Sequence, residues 1–190
     1  MPTTLWDVDA ARSDIRFWVR YMVVTRVRGR FARWSGTIAI DDEDVTRSSV
    51  SVRIESASIE PRWGTRDADA AEREARIASP AFLDVARFPE ITFRSRQIQK
   101  VGARYRVVGD LFLHGVEREV ALDAEFAGVV RDGHAAERAL FSAMATLDRR
   151  DYGLVWDSAL EAGSVVVGDR VGVAIELQAV RRATSPSVAA

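Results

Sequence analysis

The segment SDIRFWVRYMVV, residues 13–24, decides the fold class because its side chains alternate along the chain. The intervening positions include aspartate and arginine side chains. Successive side chains of a β-strand point to opposite faces, so a period of two predicts a strand with one buried face. The apolar and aromatic face consists of Ile15, Phe17, Val19, Tyr21 and Val23.

The same alternation recurs along most of the chain. Turn-forming pairs such as Ser35-Gly36, His114-Gly115 and Gly168-Asp169 separate the alternating runs. Many strands at hairpin spacing, each with one apolar face, predict an all-β fold built on a closed antiparallel sheet. The further runs are 27–31, 38–40, 50–54, 91–95, 105–113, 120–126, 141–147 and 171–177.

One segment departs from the strand pattern. Residues 67–78, DADAAEREARIA, are rich in helix formers, and Pro80 follows them. We predict a short helix there, lying across one end of the barrel. Because no second domain is indicated, residues 1–182 are predicted to form a single barrel domain. The small and polar residues 183–190 are predicted to form a disordered tail.

The composition excludes several classes of function. The 190 residues include 27 Lys and Arg against 28 Asp and Glu, for a net charge of -1. Such a balance lacks the basic excess of a non-specific nucleic-acid binder, so no nucleic-acid partner is expected. The chain has no Cys and two His, which excludes thiolate sites and His-rich metal centres. We therefore predict no metal and no obligate cofactor.

The sequence also bears on membranes and location. No stretch has the run of apolar residues that a transmembrane helix needs. The first residues, MPTTLWD, lack the basic and apolar regions of a secretory signal. The expectation is a cytoplasmic protein, or a periplasmic or extracellular one if a leader was removed.

The inward faces suggest a hollow interior. Small residues such as Gly29, Gly109 and Ala143 lie among aromatic ones on these faces. A filled core would more often carry larger side chains at such positions, and an apolar void favours an apolar guest. The alternative is that neighbouring aromatic rings fill the gaps, or that the glycines mark β-bulges.

Five groups of motifs, in order along the chain from Trp6 to Arg181, resemble the YceI-like proteins, which are polyisoprenoid-binding lipocalin-like barrels. No single motif is specific, whereas five in order are. The motifs are WDVD (6–9) with SDIRFWV (13–19), VRGRF (27–31) with SGTI (35–38), SPAFLDVARFPEITFRS (79–95), GDLFLHGV (109–116), and DRRDYGL (148–154) with VGDRV (167–171).

The resemblance implies an eight-stranded antiparallel lipocalin-like barrel with a short helical cap. It also implies a tunnel for a long isoprenoid chain, such as a quinone or prenol tail, and a homodimer. No family-wide catalytic activity comes with it. The residues that we expect to contact the lipid are Phe17, Val19, Tyr21, Phe31, Phe82, Phe93, Leu111, Leu113, Phe126, Phe141, Ala143, Ala145, Val173 and Ile175.

The portal and head-group site is predicted at Tyr21, Arg76 and Trp156. As a ligand contact, the Tyr21 hydroxyl would donate a hydrogen bond to a carbonyl such as a quinone oxygen, and Arg76 would place a cation at the tunnel mouth. In the structural interpretation, which the residue types favour, Tyr21 has a hydrogen-bond partner within the protein and Arg76 is a solvated helix residue. This sequence departs from the family here. Tyr21 stands where a His is common, and Glu74 and Arg76 replace residues of the usual Arg-Asp and His pattern.

Two other functions remain open. An enzyme would use the same cavity, with Tyr21 and a carboxylate such as Asp151 acting on a terpenoid or polyketide. Against this hypothesis, no inward His or Cys is present and no nucleophile–base pair is evident. A stress or signalling module would instead work through the outer surface of the barrel.

The charged and aromatic residues outside the barrel faces have structural interpretations. Asp148, Arg149 and Asp151 are interpreted as ion pairs at strand ends. The acidic run 41–44 lacks the glycine and the spacing of a calcium loop, so it is interpreted as a solvated turn.

His114 and His134 are expected at the surface because neither lies on an inward face. Trp18 and Trp34 are predicted to face outward, where one shared apolar patch would mark a dimer or membrane contact.

Overall fold

The computed structural model describes residues 3–21, 25–62, 70–131, 137–155 and 167–183. In these ranges the chain forms eleven strand segments and one α-helix, α1, at Ala70–Ala78. The strands are β1 (Thr3–Val8), β2 (Asp14–Tyr21), β3 (Thr25–Phe31), β4 (Trp34–Asp41), β5 (Ser49–Glu55), β6 (Ile59–Arg62), β7 (Glu90–Val101), β8 (Arg104–Leu113), β9 (Val116–Arg131), β10 (Glu137–Asp148) and β11 (Val167–Arg181).

The eleven segments make an eight-stranded closed barrel because three of its strands are each interrupted once. A 3-10 turn at Ala10–Arg12 joins β1 to β2, and another at Ser56–Ser58 joins β5 to β6. A bend at residues 32–33 joins β3 to β4. Each of the eight strands of the barrel pairs antiparallel with the strand that follows it along the chain. The fold is therefore the predicted all-β, eight-stranded antiparallel barrel.

The last strand closes the ring by pairing with both segments of the first. Residues 171–176 of β11 pair with residues 14–19 of β2, and residues 179–181 pair with residues 6–8 of β1. Closure of this kind removes the free sheet edges that an open sheet would expose.

The alternation changes phase at the bend between β3 and β4, and this makes one prediction wrong. Phe31 lies on the inward face, and Trp34, three residues later, is also buried among core isoleucines at 9% exposure. The two residues of the bend break the period of two, so Trp34 does not face outward. Trp18 does, and its ring fills the space that a Cβ at Gly172 would occupy. The two tryptophans therefore form no shared outer patch.

The helix covers an opening in the barrel wall. β6 pairs with β3, whereas β7 pairs with β5 and β8, and no ladder between described residues joins β6 to β7. Ile77 of α1 and Leu83 of the following turn form a buried cluster that packs against Ile59, Leu111 and Leu113. The helix ends at Ala78 as predicted. Its predicted start at residue 67 and most of the predicted tail lie outside the described residues.

A buried arginine ties together the chain ends that meet near the helix. Arg149 is almost fully buried, and its guanidinium nitrogens donate hydrogen bonds to four oxygen atoms. Its Nε donates to Gly168 O at 3.0 Å, its Nη1 to Leu154 O at 2.6 Å, and its Nη2 to Val167 O at 3.1 Å and Asp169 Oδ1 at 2.8 Å. Nearby, Asp148 pairs with Arg150 at 2.7 Å. The interpretation as structural ion pairs is confirmed for Asp148 and Arg149, whereas Asp151 is exposed and takes part in none of the described ion pairs.

At the opposite end, the acidic turn is more than a solvated loop. Asp41 is buried, and its carboxylate accepts hydrogen bonds from the backbone N–H groups of Glu43 and Asp44 at 3.0 and 2.9 Å. It also binds Arg47 Nε at 3.0 Å. The Arg47 guanidinium and these N–H groups lower the pKa of Asp41 to about 2. The interpretation of residues 41–44 as a solvated turn is thus wrong for Asp41.

Gly29 and Gly109 add no volume to the cavity, which confirms for these two residues the alternative that aromatic rings or β-bulges account for the small residues. A Cβ at Gly29 would lie 2.3 Å from the Phe17 ring, which therefore covers the glycine. Gly109 faces a β-bulge at residues 95–97, where a Cβ would lie 2.3 Å from Arg94 O. The remaining hollow is lined instead by alanines, including Ala143.

Replacing Arg149 by Met should lower the free energy of unfolding by about 3 kcal/mol, because buried carbonyl oxygens lose a charged donor. Chemical denaturation monitored by circular dichroism measures the change. The control is Arg150→Met, which removes an exposed arginine one position away. Equal losses in the two variants would show that Arg149 does not organise this end.

Acid should weaken the turn at residues 41–48. Because the native pKa of Asp41 is below its unfolded value of about 3.9, its stabilising contribution is complete above that pH and is lost as the pH falls towards 2. Thermal unfolding of the wild type and of Asp41→Asn should differ at pH 6 and converge between pH 4 and pH 2. A difference independent of pH would contradict this assignment.

Candidate functional site

A large cavity runs along the interior of the barrel. Its volume is about 880 Å³, near the top of the roughly 300–1,000 Å³ range of ligand pockets. Ile77 and Leu154 line it at the end that carries α1, the helix end. Thr4 and Val129 line it at the opposite end, the far end, which carries the turns at 42–48 and 101–104. The cavity therefore spans the barrel lengthwise.

The wall is predominantly apolar because the inward alternation of every strand delivers aliphatic or aromatic side chains. In consequence the interior offers a ligand extensive apolar contact and few polar partners. Representative lining residues from the successive strand positions are Trp6, Ile38, Val52, Phe93, Val107, Leu122, Phe141 and Val173.

Almost all of the residues predicted to contact a lipid lie on this wall. The exception is Tyr21, whose backbone belongs to β2 but whose side chain is outside the described part of the structure. Contact with a lipid itself stays a prediction for all of them. Those on the wall are Phe17, Val19, Phe31, Phe82, Phe93, Leu111, Leu113, Phe126, Phe141, Ala143, Ala145, Val173 and Ile175.

The predicted portal residues are not brought together by the described geometry. Arg76 is half-buried in α1 and is not among the residues that line the cavity. Trp156 lies outside the described residues, as does the Tyr21 side chain. The head-group site at these residues stays a prediction that the described contacts do not support.

Sequence reasoning missed Tyr152, which lines the cavity at the helix end. Its side chain is buried with Ile77 and Leu154. Burial, with the nearby Asp151 carboxylate, raises the pKa of Tyr152 to about 12, so the phenol is neutral at ordinary pH. The residue lies in a 3-10 turn, Arg149–Tyr152, where a strand period gives no signal.

His114 anchors the same turn and is not the surface residue that we predicted. Its Nδ1 lies 2.9 Å from Tyr152 O, and its ring meets the edge of Phe88 at 4.9 Å between centroids. The next residue, Gly115, has a positive φ and forms a tight turn. This turn places the half-buried imidazole of His114 beneath the Arg149–Tyr152 turn. His134 lies outside the described residues.

The far end is polar and carries carboxylates on the cavity wall. Each of the paired carboxylates here binds an arginine: Glu125 binds Arg104 at 2.5 Å, and Glu137 binds Arg131 at 3.2 Å and Arg181 at 3.0 Å. The arginines also lower the pKa of Glu137, so this side chain is ionised at neutral pH. The acidic residues at this end are Asp41, Asp42, Glu43, Glu125 and Glu137.

One polar atom of the wall has no partner. The indole Nε1–H of Trp6 is buried and makes no hydrogen bond with any described residue. Trp6 belongs to β1 and packs with Ile38, Ala139 and Ala179, closer to the far end than to the helix end. A buried indole N–H usually finds a hydrogen-bond acceptor, so this donor is available to a ligand oxygen.

The described part of the cavity wall gives the enzyme hypothesis little support. No histidine is among the described residues that line it, and the sequence contains no cysteine. Asp151, the proposed carboxylate, is exposed and does not line the cavity. The side chain of Tyr21, the other proposed group, lies outside the described part of the structure.

The structure contributes one observation on membranes. In the described ranges, no helix combines the length and the apolar character that a membrane crossing requires.

Comparison with known proteins identifies relatives of this chain in sequence and in structure. The sequence pattern of the YceI-like domain matches residues 6–179. A UPF0312 protein of Vibrio parahaemolyticus is 32% identical over 147 residues, which cover 77% of this chain and 74% of that protein. A UPF0312 protein of Yersinia pestis is 29% identical over 151 residues, covering 80% and 75%.

Two solved structures share the fold. BcnA of Burkholderia cenocepacia superposes with a TM-score of 0.72 at 20% identity, covering 90% of this chain and 98% of that chain. A polyisoprenoid-binding domain of Saccharophagus degradans superposes with a TM-score of 0.65 at 17% identity, covering 93% and 98%. These likenesses show the fold, and the match of the YceI-like family model to residues 6–179 shows that the chain belongs to the YceI-like family.

Proposed function

We propose that this protein binds and carries a long isoprenoid-type lipid, such as the tail of a quinone or a prenol, without changing it chemically. The observation that carries the proposal is the lengthwise apolar cavity of about 880 Å³ inside a closed ring of strands. The polyisoprenoid-binding domain of Saccharophagus degradans, which has the same fold, supports the class of ligand.

The free energy of binding would come from burial of hydrocarbon. Each buried methylene contributes about 0.8 kcal/mol, and association costs on the order of ten kcal/mol. A few isoprene units therefore suffice for net binding, whereas a short apolar molecule does not. Because most of the wall cannot form hydrogen bonds, affinity should depend chiefly on chain length.

An enzyme working in the same cavity has less support. Its proposed base, Asp151, does not line the cavity, and no described lining residue is a histidine. The homodimer expected from the family resemblance stays a prediction, and analytical ultracentrifugation of the purified chain decides it.

The length dependence is testable with prenols of increasing length. We expect affinity to rise with each isoprene unit and to level off once the cavity is filled, because further units would remain in water. Competition against a fluorescent lipid measures the series. Organic extraction and mass spectrometry of the purified protein provide an independent check. Affinity independent of chain length would contradict the proposal.

A side chain that fills the cavity should abolish binding. Ala143 lies on the cavity wall, so Ala143→Trp is expected to weaken prenol binding by more than about tenfold, which corresponds to about 1.4 kcal/mol. The adjacent Met144 is 55% exposed and does not line the cavity.

Met144→Trp is therefore the matched control, and it should bind prenol as the wild type does. Circular dichroism verifies that both variants fold. Unchanged binding in a folded Ala143→Trp variant would place the ligand somewhere other than the cavity.

A further inference from the structure

We infer that the lipid enters tail-first through the far end of the barrel, and that this mouth selects an uncharged, oxygen-bearing head group over a phosphate or carboxylate. The inference rests on the proposed function, because it concerns the head group of a lipid held in the same cavity. It assigns a specificity role to acidic residues and to one tryptophan.

The described part of the helix end is predominantly apolar. Ile77, Leu83, Tyr152 and Leu154 form a buried cluster there and line the cavity. The cation that lines this end, Arg149, already makes hydrogen bonds with three backbone carbonyl groups and a carboxylate. This end therefore suits a hydrocarbon terminus better than an anionic head group.

The far end is accessible from solvent. Phe126 and Val129 both line the cavity, yet they are 43% and 47% exposed. Side chains that belong at once to the wall and to the outer surface mark a mouth. Phe126 also stacks near Phe141 at 5.2 Å between ring centroids, so the mouth has an apolar lip over which a hydrocarbon tail can pass.

Carboxylates outnumber arginines at this mouth. Asp41, Asp42, Glu43 and Glu137 line the cavity. Glu125 lies at the rim on the outer face of the barrel, because it alternates with the inward residues Ala124 and Phe126. The arginine partners of the four lining carboxylates in the described ion pairs are Arg47, Arg131 and Arg181, of which only Arg181 lines the cavity. The four carboxylates therefore exceed these three arginines by one negative charge, and this excess disfavours an anionic head group at the mouth.

The unpartnered donor lies behind these carboxylates. Trp6 is 6% exposed, lines the cavity, and has an Nε1–H without a described acceptor. β1 runs directly beside β4, so Trp6 is paired with Ile38, while Thr3 of the same strand is paired with Asp41. A carbonyl, ether or hydroxyl oxygen held near the mouth would accept this hydrogen bond without bringing a negative charge among the carboxylates.

Head-group selection is tested with ligands of equal chain length. Farnesol and farnesyl phosphate compete for the purified full chain against a fluorescent lipid, at low salt and pH 7.5. Farnesol should bind at least about tenfold more tightly, a difference of about 1.4 kcal/mol. High salt should reduce the preference because it screens the carboxylates.

The double variant Asp42→Asn/Glu137→Gln should bind the phosphate more tightly and farnesol equally well. Glu119→Gln is the control, since Glu119 binds Arg96 on the outer face of the barrel and does not line the cavity. Equal or tighter binding of farnesyl phosphate by the wild type, or an unchanged preference in the double variant, would overturn the inference. Failure of both ligands to bind would instead overturn the proposed function.

The tryptophan is tested with farnesol and farnesene, a hydrocarbon that lacks the oxygen. Trp6→Phe keeps an aromatic ring and removes the N–H, so farnesol should bind several-fold more weakly while farnesene is unaffected. A farnesol-to-farnesene ratio that does not change in a folded variant would remove Trp6 from head-group recognition.

Discussion

The closure of the backbone ring is the constraint on which the rest of the structure depends. β11 pairs with β2 along one half of its length and with β1 along the other, so the first and last strands of the meander meet. Hydrogen bonds between strands, rather than a filled core, hold the circumference. A closed ring of eight strands has an interior wide enough either for its own side chains or for one small ligand. The sizes of the inward side chains then determine whether the interior is filled or holds a cavity.

Those residues leave the interior open because large and small side chains are distributed unevenly. Phe17 covers Gly29, and a bulge accounts for Gly109, so these two glycines add no volume. Alanines such as Ala143 on β10 line the remaining cavity, where a larger side chain would take up volume. The dense packing is concentrated in separate clusters, one of which lies beneath α1.

Charged side chains are arranged differently at the two ends of the barrel, so the two ends offer a ligand different surroundings. At the helix end a buried guanidinium is surrounded by oxygen acceptors, which fixes the chain between β10 and β11. At the far end the ion pairs lie at the rim, and Asp41 and Glu137 have their carboxylates on the cavity side. This difference between the two ends is the basis for the orientation that we propose for a molecule with a hydrocarbon tail and a polar head.

The sequence by itself determined nine of the eleven described strand segments, their inward faces and most of the cavity wall, because a period of two is a local property that survives into the folded state. The short segments β1 and β6 were not predicted. It also located α1, whose end at Ala78 follows from composition and from Pro80. Only the tertiary structure decided which neighbours fill or leave space: the bend that turns Trp34 inward, the ring over Gly29, and the burial of Tyr152 and His114. The acidic mouth likewise has no sequence signature, since Asp42 and Glu137 come from a distant turn and strand and meet only when the ring closes.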